Sequence, residues 1–183
     1  MSDVAERYRK VAAEFSRRVD AVPGDAWENP APCEGWVARD VVRHLVEWLP
    51  SVFFPTWDRE PAPGPSVDED PAGAWHALDA TIQSALDDPE VAGRERETRM
   101  GRSTFAQQID MICTPDVLVH TWDLARATGL DGTLDPEEVH RYIEGAEPYD
   151  EMLRTSGHYG PRVEVAADAD EQTRLIAFLG RQP

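Results

Sequence analysis

Apolar positions along this chain recur at intervals of three and four over several stretches, the period of a helix with one buried face. Val4, Tyr8, Val11, Ala12, Phe15, Val19 and Val22 predict a first helix over residues 3–22, ended by Pro23-Gly24. Val37, Val41, His44, Leu45, Trp48 and Val52 form the stripe of a second, over 37–54, which Pro55 stops. Trp75, Leu78, Ile82 and Leu86 face inward on a third, over 71–86, with Pro71 in its first turn. A fourth runs over 104–128 and is closed by Gly129 as a C-terminal cap. A fifth spans 135–153, with Asp135 as N-cap and Pro136 behind it. Asp168 and Glu171 have the spacing of a capping box, which opens a last short helix through Leu175, Ile176 and Leu179 to Gly180.

The connections are equally readable. Residues 23–36 are turn-rich, with Trp27 and Trp36 expected to pin them onto the helices. The run Pro61–Pro65 is a loop, and residues 87–103 are charged, with Glu95–Met100 extended or irregular. Val163-Glu-Val165 alternates as a short strand does. Pro115 removes a backbone donor inside the fourth helix and should kink or split it just before Asp116. Four or five helices with short-to-moderate connections give an expected all-α bundle, with an extra C-terminal helix and room for a short strand, as one domain over residues 1–183.

Composition narrows the function. With 41% hydrophobic residues the chain can build a core, and 35 acidic against 18 basic residues give a net charge of -17. Such a chain repels phosphate backbones and anionic lipid surfaces, so neither nucleic acid nor membrane is an expected partner. Two cysteines, Cys33 and Cys113, are too few for a disulfide framework. No signal peptide or membrane span is legible, which leads us to expect a cytoplasmic protein. Homodimerisation is left open.

The chemistry concentrates in two helices. Asp116 and His120 are four apart and stack on one side of the fourth helix, among apolar Ile109, Ile112, Val119 and Leu124. Polar groups there need partners. His44 lies in the apolar stripe of the second helix, so His44, Asp116 and His120 can converge at the bundle centre. Two imidazoles and a carboxylate are a common mononuclear set for Zn²⁺ or non-haem Fe²⁺, with positions left for water or substrate. Asp123 could hydrogen-bond a ligand from behind or tie down the helix, and Glu47 is a reserve ligand. The alternatives are a metal-free His–Asp network and a non-catalytic ligand- or partner-binding bundle with a structural metal. His76, His140 and His158 read as surface residues. Neither cysteine has a setting that lowers a thiol pKa. Nucleotide-binding glycine loops and the Gly-x-Ser-x-Gly motif are absent, and so is the pair of Glu-x-x-His motifs of a di-iron centre.

Three stretches, Pro32–His44, Val119–Gly129 and Leu175–Pro183, resemble actinobacterial metal-binding proteins related to the N-terminal domain of mycothiol-dependent maleylpyruvate isomerase, in the DinB-like superfamily. The resemblance spans nearly the whole chain. It implies a four-helix bundle holding a divalent metal, zinc first, with iron or nickel as alternatives, and His44, Asp116 and His120 as ligands. It also implies that the metal activates a low-molecular-weight thiol, mycothiol or bacillithiol, for transfer or isomerisation of a small-molecule substrate. The isomerase has Glu where this chain has Asp116. One methylene less requires a closer backbone or a bridging water. The isomerase also carries a further C-terminal domain, whereas this sequence leaves room only for a strand and a helix, which weakens the expectation of the isomerase reaction itself.

Overall fold

The computed structural model of the chain describes residues 3–98, 101–155 and 159–183. Four helices form the bundle: α1 (Asp3–Ala21), α2 (Ala38–Phe53), α3 (Pro71–Asp87) and α6 (Thr114–Thr128). α1 lies against α3 and α6, and α2 lies against the same two, so α1 and α2 face each other across the core. Tyr8, Phe15, Leu45, Trp75, Ile82 and Leu124 are among the fully buried side chains between them. This is the all-α bundle expected from the hydrophobic period and the DinB-like architecture that the resemblance implies.

The helix ends show why the elements begin and stop where they do. The Asp70 side chain accepts a hydrogen bond from the Gly73 N–H and Pro71 fills the first turn of α3. Asp40 Oδ2 accepts from the Val37 N–H at the start of α2. Gly129 closes α6 in the left-handed conformation, φ 73°. α7 (Pro136–Ala146) starts as expected, with Asp135 Oδ1 accepting from the Glu137 and Glu138 N–H groups. It gives way at Ala146 to a 3-10 turn, Glu147–Tyr149, and α8 (Asp150–Thr155), so the fifth helix is broken where one continuous element was expected.

Other expectations need correction. The buried face of α2 runs through Ala38, Val41, Val42, Leu45, Leu49 and Phe53, whereas Val52 is 43% exposed. The stripe is thus rotated from the expected one, which moves His44 and Trp48 to its margin. α9 (Glu171–Phe178) is capped by Asp170, accepting from the Thr173 N–H, and not by Asp168. Residues 163–165 form no strand, although the Val163 N–H donates to the Ala177 carbonyl. The strands lie instead at β1 (Glu95–Thr98) and β2 (Gly101–Thr104), an antiparallel pair that follows the short α4 (Pro89–Ala92).

The approach to α6 is unusual. α5 (Phe105–Gln108) opens with a capping box between Thr104 and Gln107, continues into a π-helical turn, Ile109–Cys113, and then into α6. The expected disturbance around Pro115 therefore takes the form of a widened turn rather than a break. Within it the Thr114 N–H donates to the Ile109 carbonyl, five residues back. The next donor in that register would belong to residue 115, a proline, which has no N–H to give the Asp110 carbonyl. Arg7 of α1 replaces it: Nη1 donates to the Asp110 carbonyl at 2.8 Å and to Asp110 Oδ1 at 2.7 Å. Its other nitrogens hold Glu138 Oε2 of α7 at 2.7 Å.

No helix among the described residues is long and apolar enough to cross a membrane.

Candidate metal centre

α2 and α6 lie side by side, and the fourfold spacing on α6 stacks Asp116 and His120 toward α2. His44 Nε2 is 3.3 Å from Asp116 Oδ2, and His120 Nε2 is 3.5 Å from Asp116 Oδ1. The three side chains place one ligand atom each within 4.8 Å of one another. Asp116 Oδ2 is buried and accepts no hydrogen bond, even with the His44 ring so near. A buried carboxylate oxygen without a donor is costly. With His44 Nε2 beside it and His120 Nε2 beside the other oxygen of the same carboxylate, it is the atom that a cation would satisfy. The donor set therefore fits a divalent ion. Among the described residues no fourth His, Cys, Asp or Glu joins this trio.

The surroundings divide into an open side and a closed side. On the open side, Trp36, Asp40, Arg43, His44, Glu47, Trp48 and Ser51 line a groove of about 510 Å³. The His44 ring lies between two indoles, 5.2 Å from each, parallel to Trp48 and tilted against Trp36. Trp36 also stacks on His120 at 5.9 Å. It is carried there by the 23–36 connection, which is folded back by the Ala31 N–H to Trp36 carbonyl and Trp36 N–H to Cys33 carbonyl bonds. Trp27 packs partly buried on the core, as expected. Glu47 is exposed and lies 3.6 Å from Arg43, apart from the trio.

On the closed side, Asp123 Oδ2 meets His120 Nδ1 at 2.9 Å, one of the two supporting roles that its position suggested. Asp123 is fully buried, and Arg181 clamps it with Nε on Oδ1 and Nη2 on Oδ2, each at 2.7 Å. Burial alone would raise this carboxyl, but the His120 hydrogen bond and the Arg181 charge outweigh it and hold it at about 2. Cys33 Sγ lies 3.6 Å from Asp123 Oδ2 and 3.5 Å from Arg181 Nη2. Its burial, followed by the Asp123 charge, pushes the thiol up to about 12. Cys33, His120 and Asp123 also lie within ligand distance of one another, yet their atoms are engaged with each other and with Arg181.

The remaining candidates fall away from this centre. Cys113 is buried in the core, and burial pushes its thiol well up. His76 is exposed and bonded to Asp20, and His140 is exposed between Glu144 and Glu171. His158 lies outside the described residues. Arg181 was not singled out by residue reasoning. Its only sequence signal was its place in the Leu175–Pro183 stretch.

Comparison with known proteins agrees with the resemblance. Residues 8–52, which contain most of α1 and nearly all of α2, match the family model of the mycothiol maleylpyruvate isomerase N-terminal domain. Two uncharacterized proteins of Mycobacterium tuberculosis, Rv0738 of strain H37Rv and MT0763 of strain CDC 1551, are each 27% identical over 170 residues, covering 91% of this chain and 91% of their own. No solved structure matches the chain significantly. Through its first two helices the chain is thus similar to the mycothiol maleylpyruvate isomerase N-terminal domain, and over most of its length to mycobacterial proteins of the same extent.

Proposed function

We propose that this protein binds one divalent metal ion, zinc first and iron or nickel as alternatives, through His44, Asp116 and His120. The observation that carries the reading is the buried Asp116 Oδ2, which has no hydrogen-bond donor yet faces an imidazole nitrogen from a different helix. The three-residue donor set leaves coordination positions for a substrate, in contrast to a closed structural site. The groove lined by His44, Trp36 and Trp48 offers a small molecule a place beside the first of these ligands.

Within this reading the protein is a thiol-dependent transferase or isomerase, with mycothiol as thiol cosubstrate. A bound divalent ion supplies Lewis acidity, which lowers the pKa of a thiol or water brought to it. The chain's own part is to hold and orient. Asp123 accepts a hydrogen bond from the Nδ1–H of His120 and so leaves Nε2 free. Trp36 and Trp48 flank the His44 ring and limit its rotation. The match of residues 8–52 to the mycothiol maleylpyruvate isomerase domain supports the thiol assignment. Cys33 does not provide the nucleophile, because its thiol is held protonated.

Metal analysis of the purified protein tests the site. About one divalent ion per chain is expected, lost in His120→Ala and in His44→Ala. Full occupancy in both variants would refute the assignment. Binding of mycothiol to the metal-loaded protein, and none to the His120→Ala variant, tests the thiol.

A further inference from the structure

The tail of the chain reaches the back of this site. Gly180, in the left-handed conformation at φ 83°, turns the chain after α9, and the Gly180 N–H bonds to the Ala177 carbonyl. The turn is packed so tightly that an added Cβ at Gly180 would come within 2.9 Å of the Gly160 backbone. From it Arg181 points inward, only 16% exposed, and forms the two-pronged contact with Asp123. Such paired guanidinium–carboxylate bonds fix orientation as well as charge. Arg181 donates to both Asp123 oxygens, so each of them is engaged as an acceptor, and His120 Nδ1 is left to donate to Oδ2. With the proton on Nδ1, the Nε2 lone pair points toward Asp116.

We propose that Arg181 is a positioning residue: through Asp123, the C-terminal tail fixes the ring orientation and the Nδ1–H tautomer of His120, and with them the affinity of the site for a divalent cation. The inference rests on the proposed His44–Asp116–His120 site. It adds that α6 cannot present His120 correctly without a residue from after α9. Loss of a partner behind a metal-binding histidine commonly weakens metal affinity about 10–100-fold. Lysine at this position keeps the charge but loses the fork.

Two measurements on the full chain test this: long-range ¹H–¹⁵N NMR of the His120 ring in metal-free protein at pH 8, and Zn²⁺ affinity by competition with a chromophoric chelator. Wild type should show the proton on Nδ1. Arg181→Ala should show mixed tautomers and about 10–100-fold weaker Zn²⁺ binding, with Arg181→Lys intermediate. Arg154, which bonds the Gly160 and Phe178 carbonyls, holds the same tail without touching Asp123. Arg154→Ala should therefore keep the wild-type tautomer and affinity. If Arg181→Ala does not fold, Arg181→Lys decides by the same two readouts. A wild-type tautomer and affinity in Arg181→Ala, or equal damage from Arg154→Ala, would overturn the proposal. Should wild type bind no Zn²⁺ while Arg181→Ala still scrambles the tautomer, the metal reading falls and the positioning role stands.

Discussion

His44 Nε2 approaches Asp116 Oδ2 to 3.3 Å, yet this buried oxygen accepts no hydrogen bond. The pair is held close by α2 and α6 without being satisfied by the protein itself. Function and stability should therefore separate at Asp116. In Asp116→Asn the metal-free protein should lose no more than about 1 kcal/mol, because an oxygen without a donor contributes little to folding. Saturating Zn²⁺, at about 100 times its dissociation constant, should stabilise wild type by about 2.7 kcal/mol and the variant hardly at all. Thermal melts with and without Zn²⁺ read both numbers. An equal metal-induced rise in the two proteins would contradict the role of Asp116.

Arg7 joins α1 to the π-helical turn and to α7. Its partner Glu138 is 5% exposed, so Arg7→Ala leaves a buried carboxylate without its counter-charge. The expected cost is about 3–5 kcal/mol. Replacing both groups, as in Arg7→Met with Glu138→Leu, should recover most of it, since apolar side chains can fill a buried ion-pair site. A deficit of about 1 kcal/mol should remain, because the Asp110 carbonyl has lost the Arg7 hydrogen bond. Urea unfolding of the three proteins distinguishes these outcomes.

The Cys33 thiol titrates at about 12, where an ordinary thiol titrates near 9. Between those pH values the folded state holds a proton that the unfolded state has released. This contribution to stability is complete below about pH 9 and fades as pH rises toward 12. At pH 8 the thiolate population should be roughly 10³-fold below that of an unperturbed cysteine. Iodoacetamide should label Cys33 slowly in native protein up to pH 9 and quickly in urea. Rapid native labelling at pH 8, located by mass spectrometry, would contradict this environment.

Phe15 and Trp75 meet edge to face at 4.6 Å between α1 and α3, and the indole N–H is bonded to Ser16 Oγ. Phe15→Ala should cost about 3–5 kcal/mol by leaving a cavity against the indole. Phe15→Leu should cost distinctly less. Chemical denaturation with near-ultraviolet circular dichroism follows both the stability and the Trp75 environment.

The bundle was legible because its core faces are one-sided: Tyr8, Val11, Phe15 and Val19 repeat as one stripe, and Trp75, Leu78, Ile82 and Leu86 as another. The phase of α2 was harder to read. His44 and Trp48 look inward by spacing, but they border the groove, and Val42, Leu49 and Phe53 take the core positions. Strand β1 was legible only as an extended or irregular stretch, and β2 not at all, because Glu95, Arg96, Glu97 and Arg102 are charged and carry no apolar alternation. The cap of α9 was misplaced because Ala-Asp-Ala-Asp-Glu offers Asp168 and Asp170 as rival starts. The candidate site was legible in its α6 part, where Asp116 and His120 are local neighbours. Arg181 was not, since a surface arginine and one that clamps a buried carboxylate look identical in a sequence.

The turn from Ile109 to Cys113 holds one residue more than an α-helical turn would need. Each residue rotates a helix by about 100°. The surplus residue therefore uncouples two orientations: α5 can be turned to bury Phe105 and Gln108, while α6 is turned to aim Asp116 and His120 at α2. Removing one residue from this turn would give a more regular helix whose two halves could no longer both face their partners. A local irregularity thus lets one length of chain serve two neighbours, and the helix here tolerates an extra residue because its two ends have different obligations.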